Sequence, residues 1–150
     1  MHDNIVAFWV PEEAATAGSE YLIRYRLHWV AEAPVPVSIA RVVATRTGHG
    51  GAPGQSRPEG AVKFVVDFDG RGFEGLDRES GVEAVIDASR GVIDNVAVYP
   101  VVGTARWRAM FDVGADGSEP VDLRMLLRHN GKTMSETWLF QHFPGQRKGT

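Results

Sequence analysis

Apolar and polar residues alternate along most of this chain with a period of two. Within residues 21–30, Tyr21, Ile23, Tyr25, Leu27 and Trp29 fall on one side and Arg24, Arg26 and His28 on the other. Val62, Phe64, Val66 and Phe68 repeat the pattern against Lys63 and Asp67. Trp107, Ala109, Phe111 and Val113 do so against Arg106, Arg108 and Asp112. Val121, Leu123, Met125 and Leu127 do so against Asp122, Arg124 and Arg128. A period of two is that of a strand with one buried and one solvated face, as antiparallel sheets have. Less regular stretches at 5–10, 37–45, 82–88, 92–101 and 134–141 predict further strands.

Turn chemistry separates these elements. Asn130-Gly131 suits a tight hairpin, because both central residues of that turn need positive φ. Ser89-Arg90-Gly91 is a second predicted hairpin, and Ala115-Asp116-Gly117-Ser118 a third turn. Helix is confined to one possible turn at 12–17, after Pro11. The longest irregular stretch is 46–60, rich in Gly, Pro and polar residues; loops of that length are often functional. Roughly eight or nine short strands, with turns about every ten residues, predict an all-β antiparallel sandwich.

Length supports one domain: 150 residues bury enough surface to be stable without metal or disulfide. Cysteine is absent, which removes disulfides, thiolate metal sites and cysteine nucleophiles. Sixteen basic residues against nineteen acidic ones, a net charge of -3, argue against nucleic-acid binding, since the arginines are dispersed rather than clustered. No apolar run reaches the ~18 residues of a membrane span. Met1-His2-Asp3-Asn4 is polar and leads into no signal-like segment, which leaves a cytoplasmic protein or a missing N-terminus.

Candidate chemistry is sparse. Asp67 and Asp69 share a strand face about 6–7 Å apart, a spacing that would suit acid-pair glycoside hydrolysis. A solvated strand end entering Asp69-Gly70 is the preferred reading. The same segment fails as a calcium loop, because Arg71 and Arg78 stand where acidic ligands are needed. His2, His28, His49, His129 and His142 have no metal-ligand spacing. Ser56 lacks a nucleophile elbow, and 48–54 lacks the ending of a phosphate loop. We therefore assign no catalytic residue, no metal and no cofactor. Trp9, Trp29, Trp107 and Trp138 would suit sugar stacking, but Trp29 and Trp107 lie on apolar strand faces and read as core. Trp138 lies where both faces are mixed and stays a candidate. The loop 46–60 offers Arg46, His49, Gln55 and Arg57, whose donors and acceptors suit a hydroxyl-rich ligand or a polar domain interface.

The wording of the chain carries a resemblance. Asp3-Asn4-Ile5-Val6-Ala7-Phe8-Trp9-Val10-Pro11 is followed by Gly18-Ser19-Glu20-Tyr21 and Tyr25-Arg26-Leu27-His28-Trp29. Then come Ala40-Arg41-Val42-Val43-Ala44-Thr45-Arg46, Gly50-Gly51, Pro53-Gly54 and Phe64-Val65-Val66-Asp67-Phe68. Trp107-Arg108, Phe111-Asp112 and Ser135-Glu136-Thr137-Trp138-Leu139 complete the set. In this order and spacing they resemble the C-terminal domain of the periplasmic glucan biosynthesis protein family (MdoG/OpgG and MdoD/OpgD).

The resemblance implies an immunoglobulin-like sandwich of about eight strands over residues 1–143 and absence of the family's large N-terminal domain; the terminal stretch 144–150 is expected to be a frayed tail. It implies location in the periplasm and participation in making β-1,2-linked glucans. It also implies that any glucan-cleaving acids belong to the large domain, so this chain alone is not expected to be an enzyme. The expected role is carbohydrate contact or docking, with β-glucan or the N-terminal glucan-binding domain as partner. The alternatives are an independent carbohydrate-binding module, a protein-interaction module of the assembly machinery, and a small glycoside hydrolase. Arg46, His49, Gln55, Arg57 and Trp138 are the expected contact residues.

Overall fold

The computed structural model describes residues 10, 12, 14–31, 38–55 and 58–145. The chain divides into two compact units, Met1–Pro34 and Val35–Thr150. In the first, the described residues form no helix and no strand. Ser19 N–H donates to the Thr16 carbonyl at 3.0 Å, closing a turn in place of the predicted helical one. Residues 21–30, predicted as a strand, take no regular structure and join no ladder, and their apolar side chains are exposed. Alternation defines which side of a strand wants burial; it does not supply the neighbour whose peptide groups complete the ladder. The predicted strand at 5–10 lies outside the described residues apart from Val10.

The second unit is an immunoglobulin-like sandwich. Its eight described strands are β1 (Arg41–His49), β2 (Val62–Asp69), β3 (Glu83–Ala88), β4 (Val92–Pro100), β5 (Trp107–Gly114), β6 (Val121–His129), β7 (Lys132–Thr133) and β8 (Trp138–His142). One antiparallel sheet has the order β1-β2-β5-β4; in the other, β6 pairs with β3, β7 and β8. No described helix is long and apolar enough to cross a membrane.

The ladder between β2 and β5 shows how sequence sets the layers. Phe64 pairs with Phe111, Val66 with Ala109 and Phe68 with Trp107; all six are buried on the inner face. From the opposite sheet, Val121, Leu123, Met125 and Leu127 of β6 close the core. The Phe64 and Phe111 rings stack at 5.4 Å, and Phe73 stacks on Trp107 at 5.2 Å. On the outer face of the same ladder, Lys63 pairs with Asp112 and Asp67 with Arg108. Opposite charges placed directly across a ladder neutralise each other where single charges would be costly to bury.

The turns divide into two kinds. Asn130 (φ 49°) and Gly131 (φ 76°) make the predicted tight hairpin between β6 and β7. Ser89-Arg90-Gly91, predicted as a hairpin, instead carries the chain from β3 in one sheet to β4 in the other. Gly91 has φ 87°, and a Cβ there would lie 2.5 Å from the Gly114 carbonyl. Arg90 donates to the carbonyls of Asp116 and Pro120 at 2.7 and 3.3 Å, and to that of Glu119, tying this crossover to the β5–β6 loop.

Met134 to Thr137, predicted as strand, joins the start of β1 to the second sheet. Ala40 N–H donates to the Met134 carbonyl (2.9 Å), Glu136 N–H donates to the Ala40 carbonyl (2.8 Å), and Val42 N–H donates to Glu136 Oε1 (2.7 Å). Buried Ser135 accepts from Leu127 N–H at 2.9 Å and donates to the Glu136 carbonyl.

Candidate functional site

β1 and β8 are edge strands of opposite sheets, and the ends of both meet at one open groove of about 1090 Å³. Three segments line it, Thr47 to Gly50, Pro58 to Val62 and Phe140 to Phe143. β1 runs four residues further than the alternation predicted, through Arg46 to His49, because Thr47 pairs with Phe64 and His49 with Val62. The loop predicted at 46–60 is shortened accordingly. Gly50 N–H donates to the Ala61 carbonyl at 2.8 Å and closes its base.

Asp112 anchors that base. Its Oδ2 accepts from Gly51 N–H at 2.8 Å and from Asn95 Nδ2 at 2.7 Å, while Lys63 Nζ lies 2.6 Å from Oδ1. Asn95 reaches it from an irregularity in β4 between Asp94 and Ala97, with φ 52°. Burial raises the Asp112 pKa, but Lys63 and the two hydrogen bonds outweigh it, so the carboxyl stays below its ordinary range. This carboxylate is thus a fixed peg beneath the loop.

Thr47, His49, Gln141 and His142 line the groove as polar residues and Phe140 and Phe143 as aromatic ones, the Gln141 amide donating to Asp122 Oδ1 at 2.8 Å. Burial, with Arg90 as a lesser cause, holds His142 below the usual histidine range, so it is neutral at pH 7 and both accepts and donates. Glu59 is the one carboxylate among the described lining residues. Neutral donors and acceptors beside apolar rings suit hydroxyl-rich ligands better than ionic ones.

Of the predicted contact residues that are described, only His49 lines the groove. Arg46 projects from β1 to the outer sheet face, where its Nη1 donates to Asp67 Oδ2 at 2.7 Å. Gln55 is exposed on the loop but does not line the groove. Arg57 lies outside the described residues. Trp138 is a core residue: it is 4% exposed, its Nε1–H donates to Thr45 Oγ1 at 2.9 Å, and its ring stacks on Phe140 at 5.5 Å. It supports the groove wall from beneath. Gln141, His142, Phe140 and Phe143 were missed, because no local motif links the end of β8 to a loop far earlier in the chain.

The Asp67–Asp69 pair is not arranged for acid chemistry. Asp67 is 2% exposed and accepts from Arg108 Nε at 2.6 Å, Arg108 Nη2 at 3.0 Å and Arg46 Nη1 at 2.7 Å. Arg108 chiefly, with Arg46 helping against burial, holds its carboxyl below the ordinary range. Arg106 Nε binds Asp69 at 3.0 Å. A general acid must carry a proton near neutral pH, and Asp67 is held ionised.

Residues 1–142 match the family described as "Periplasmic glucan biosynthesis protein, MdoG". The chain belongs to this family. Similar MdoG-family relatives include "Glucans biosynthesis protein D 2" of Ralstonia nicotianae, 51% identical over 148 residues. That match covers 97% of this chain and 28% of the Ralstonia protein. "Glucans biosynthesis protein D" of Stenotrophomonas maltophilia is 46% identical over 144 residues, covering 95% of this chain and 27% of that protein. The Xanthomonas oryzae protein of the same name is 44% identical over 146 residues, with the same coverage. The MdoG-family chain therefore spans little more than a quarter of the length of these relatives.

Proposed function

We propose that this chain serves periplasmic glucan biosynthesis as a non-catalytic module that contacts the glucan through the groove between β1 and β8. The observation that carries this reading is the open groove itself, in which His49, Gln141 and His142 stand beside Phe140 and Phe143. Rings of this kind pack on the apolar faces of a pyranose, and the neutral polar groups bond its hydroxyls. The family description supports glucan as the ligand class and the periplasm as the location. Among the described residues the groove offers a lone carboxylate, whereas glycoside hydrolysis ordinarily needs two. Hydrolysis of β-1,2-glucan by this chain is therefore not expected, and release of reducing ends would contradict the non-catalytic reading.

The test is a titration of the chain with β-1,2-linked gluco-oligosaccharides, followed by amide chemical shifts. Shifts should move at 47–50, 59–62 and 140–143, and paired His49→Ala and Gln141→Ala substitutions should weaken binding about tenfold, or ~1.4 kcal/mol. Unmoved shifts in all three segments would sink the carbohydrate reading. A second reading, docking of another polypeptide, draws on β1, which among the described strands pairs with β2 alone and whose outer edge beyond Val42, held by Glu136, carries no ladder. It predicts no response to sugar, but slowed hydrogen exchange in β1 within the longer family proteins.

A further inference from the structure

Residues 21–30 have the alternation of a half-buried strand but no sheet. The segment forms no helix and no turn, and no ladder includes it among the described residues. The apolar stripe that alternation predicts should be buried is open to solvent: Ile23 is 76% exposed, Tyr25 84%, Leu27 64% and Trp29 89%. Tyr21 completes the stripe, while the other side carries Arg24, Arg26 and His28 at its centre with Leu22 and Val30, also exposed, at its two ends. Five large apolar side chains on one edge-on stripe are far from the scattered single exposures that soluble surfaces tolerate. The segment belongs to the unit Met1–Pro34, which carries no described strand of its own to pair with.

We propose that 21–30 is a β-strand of a second sheet, whose remaining strands lie in the part of glucan biosynthesis proteins that this chain does not span. Two observations select that occupant. The relatives carry nearly three quarters of their length outside the match, as coverage of 27–28% requires. The match itself runs through 21–30, so the longer proteins contain this segment together with that additional chain. The occupant is then a sheet edge with an apolar inner face: its peptide groups take the open ladder of 21–30, and its core takes Ile23, Tyr25, Leu27 and Trp29. Arg24, Arg26 and His28 remain toward solvent, as one-sided antiparallel sheets require. On this assignment the sandwich of 41–142 and the strand of 21–30 serve two different cores, joined by the segment between them.

Amide hydrogen exchange on two intact proteins tests this. In the present chain, amides of 21–30 should exchange at nearly unprotected rates, independent of protein concentration. In the full-length Ralstonia nicotianae protein, the aligned amides should exchange at least ~100-fold more slowly, as strands inside a cooperative core do. Protection that appears in the present chain with rising concentration would assign the strand to a second copy and overturn the proposal. Unprotected exchange of the aligned stretch in the full-length relative would overturn it too. Side assignment has its own readout. Aspartate at the positions aligned with Ile23 and Leu27 should lower the melting temperature of the full-length relative, and aspartate at those aligned with Arg24 and Arg26 should not. In the present chain, Ile23→Asp should leave the melting of the sandwich unchanged. Equal losses from both sides of the strand would refute the assigned orientation and with it the sheet.

Discussion

Replacing Asp67 with asparagine removes one charge and almost no volume from the outer face of the β1-β2-β5-β4 sheet. Asp67 is 2% exposed and accepts three hydrogen bonds from two arginines. Breaking a fully buried ion pair costs about 3–5 kcal/mol, because the remaining charge is stranded. Here the partners are not stranded: the Arg46 side chain is 57% exposed and that of Arg108 30%. Water recovers much of their solvation, and asparagine keeps one acceptor, so the cost falls to about 2 kcal/mol. For a sandwich of this size that lowers the melting temperature by roughly 6–10 °C.

The pH dependence separates a charge effect from a packing effect. The Asp67 pKa is lowered in the folded state, chiefly by Arg108. Its stabilisation is therefore complete above the unfolded value near 3.8 and is lost as pH falls through the lower folded value. Wild type and Asp67→Asn, melted side by side from neutral pH downward, should differ fully at neutral pH and converge in acid. A difference that persists undiminished in strong acid would refute the ion-pair account, and so would a shift below about 1 °C at neutral pH. Glucan binding should be unchanged by this substitution, since Asp67 does not line the groove.

Other substitutions probe the packing and the groove. Trp138→Phe loses the bond to Thr45 and should cost about 1–2 kcal/mol, while Trp138→Ala opens the core beneath Phe140 and should cost about 3–5 kcal/mol in urea unfolding. Gly91→Ala must fit a Cβ 2.5 Å from the Gly114 carbonyl at φ 87°, so a loss of more than about 2 kcal/mol is expected in the same assay. Asp112→Ala removes the peg beneath the loop; exchange of the Gly51 amide should accelerate about tenfold, which an amide-resolved exchange experiment reads directly. His142 should titrate below 6.5 in an NMR pH series, and Arg90→Ala should move it upward. Because its folded pKa is depressed, its stabilisation is full above about pH 6.5 and declines as pH falls toward the folded value.

The sequence by itself determined the β class and the inner faces of β2, β5 and β6. A half-buried strand writes its orientation into every second residue, so Phe64, Phe111 and Leu123 declare their side without knowing their neighbours. Asn130-Gly131 likewise specified its hairpin, because that turn demands positive φ at two adjacent positions. Partnership was a different matter. Ser89-Arg90-Gly91 says that the chain reverses but not into which sheet, and the tertiary structure made it a crossover. Trp138 sits in a stretch with no clean alternation, and contacts with Phe64 and Phe111 decided its burial. Only the register placed Asp67 against Arg108 and Lys63 against Asp112, and only the meeting of β1 with β8 placed His49 in one groove with His142. Residues 21–30 mark the limit: alternation is a local property of one strand, whereas a sheet exists only when a second strand supplies the other half of each hydrogen bond.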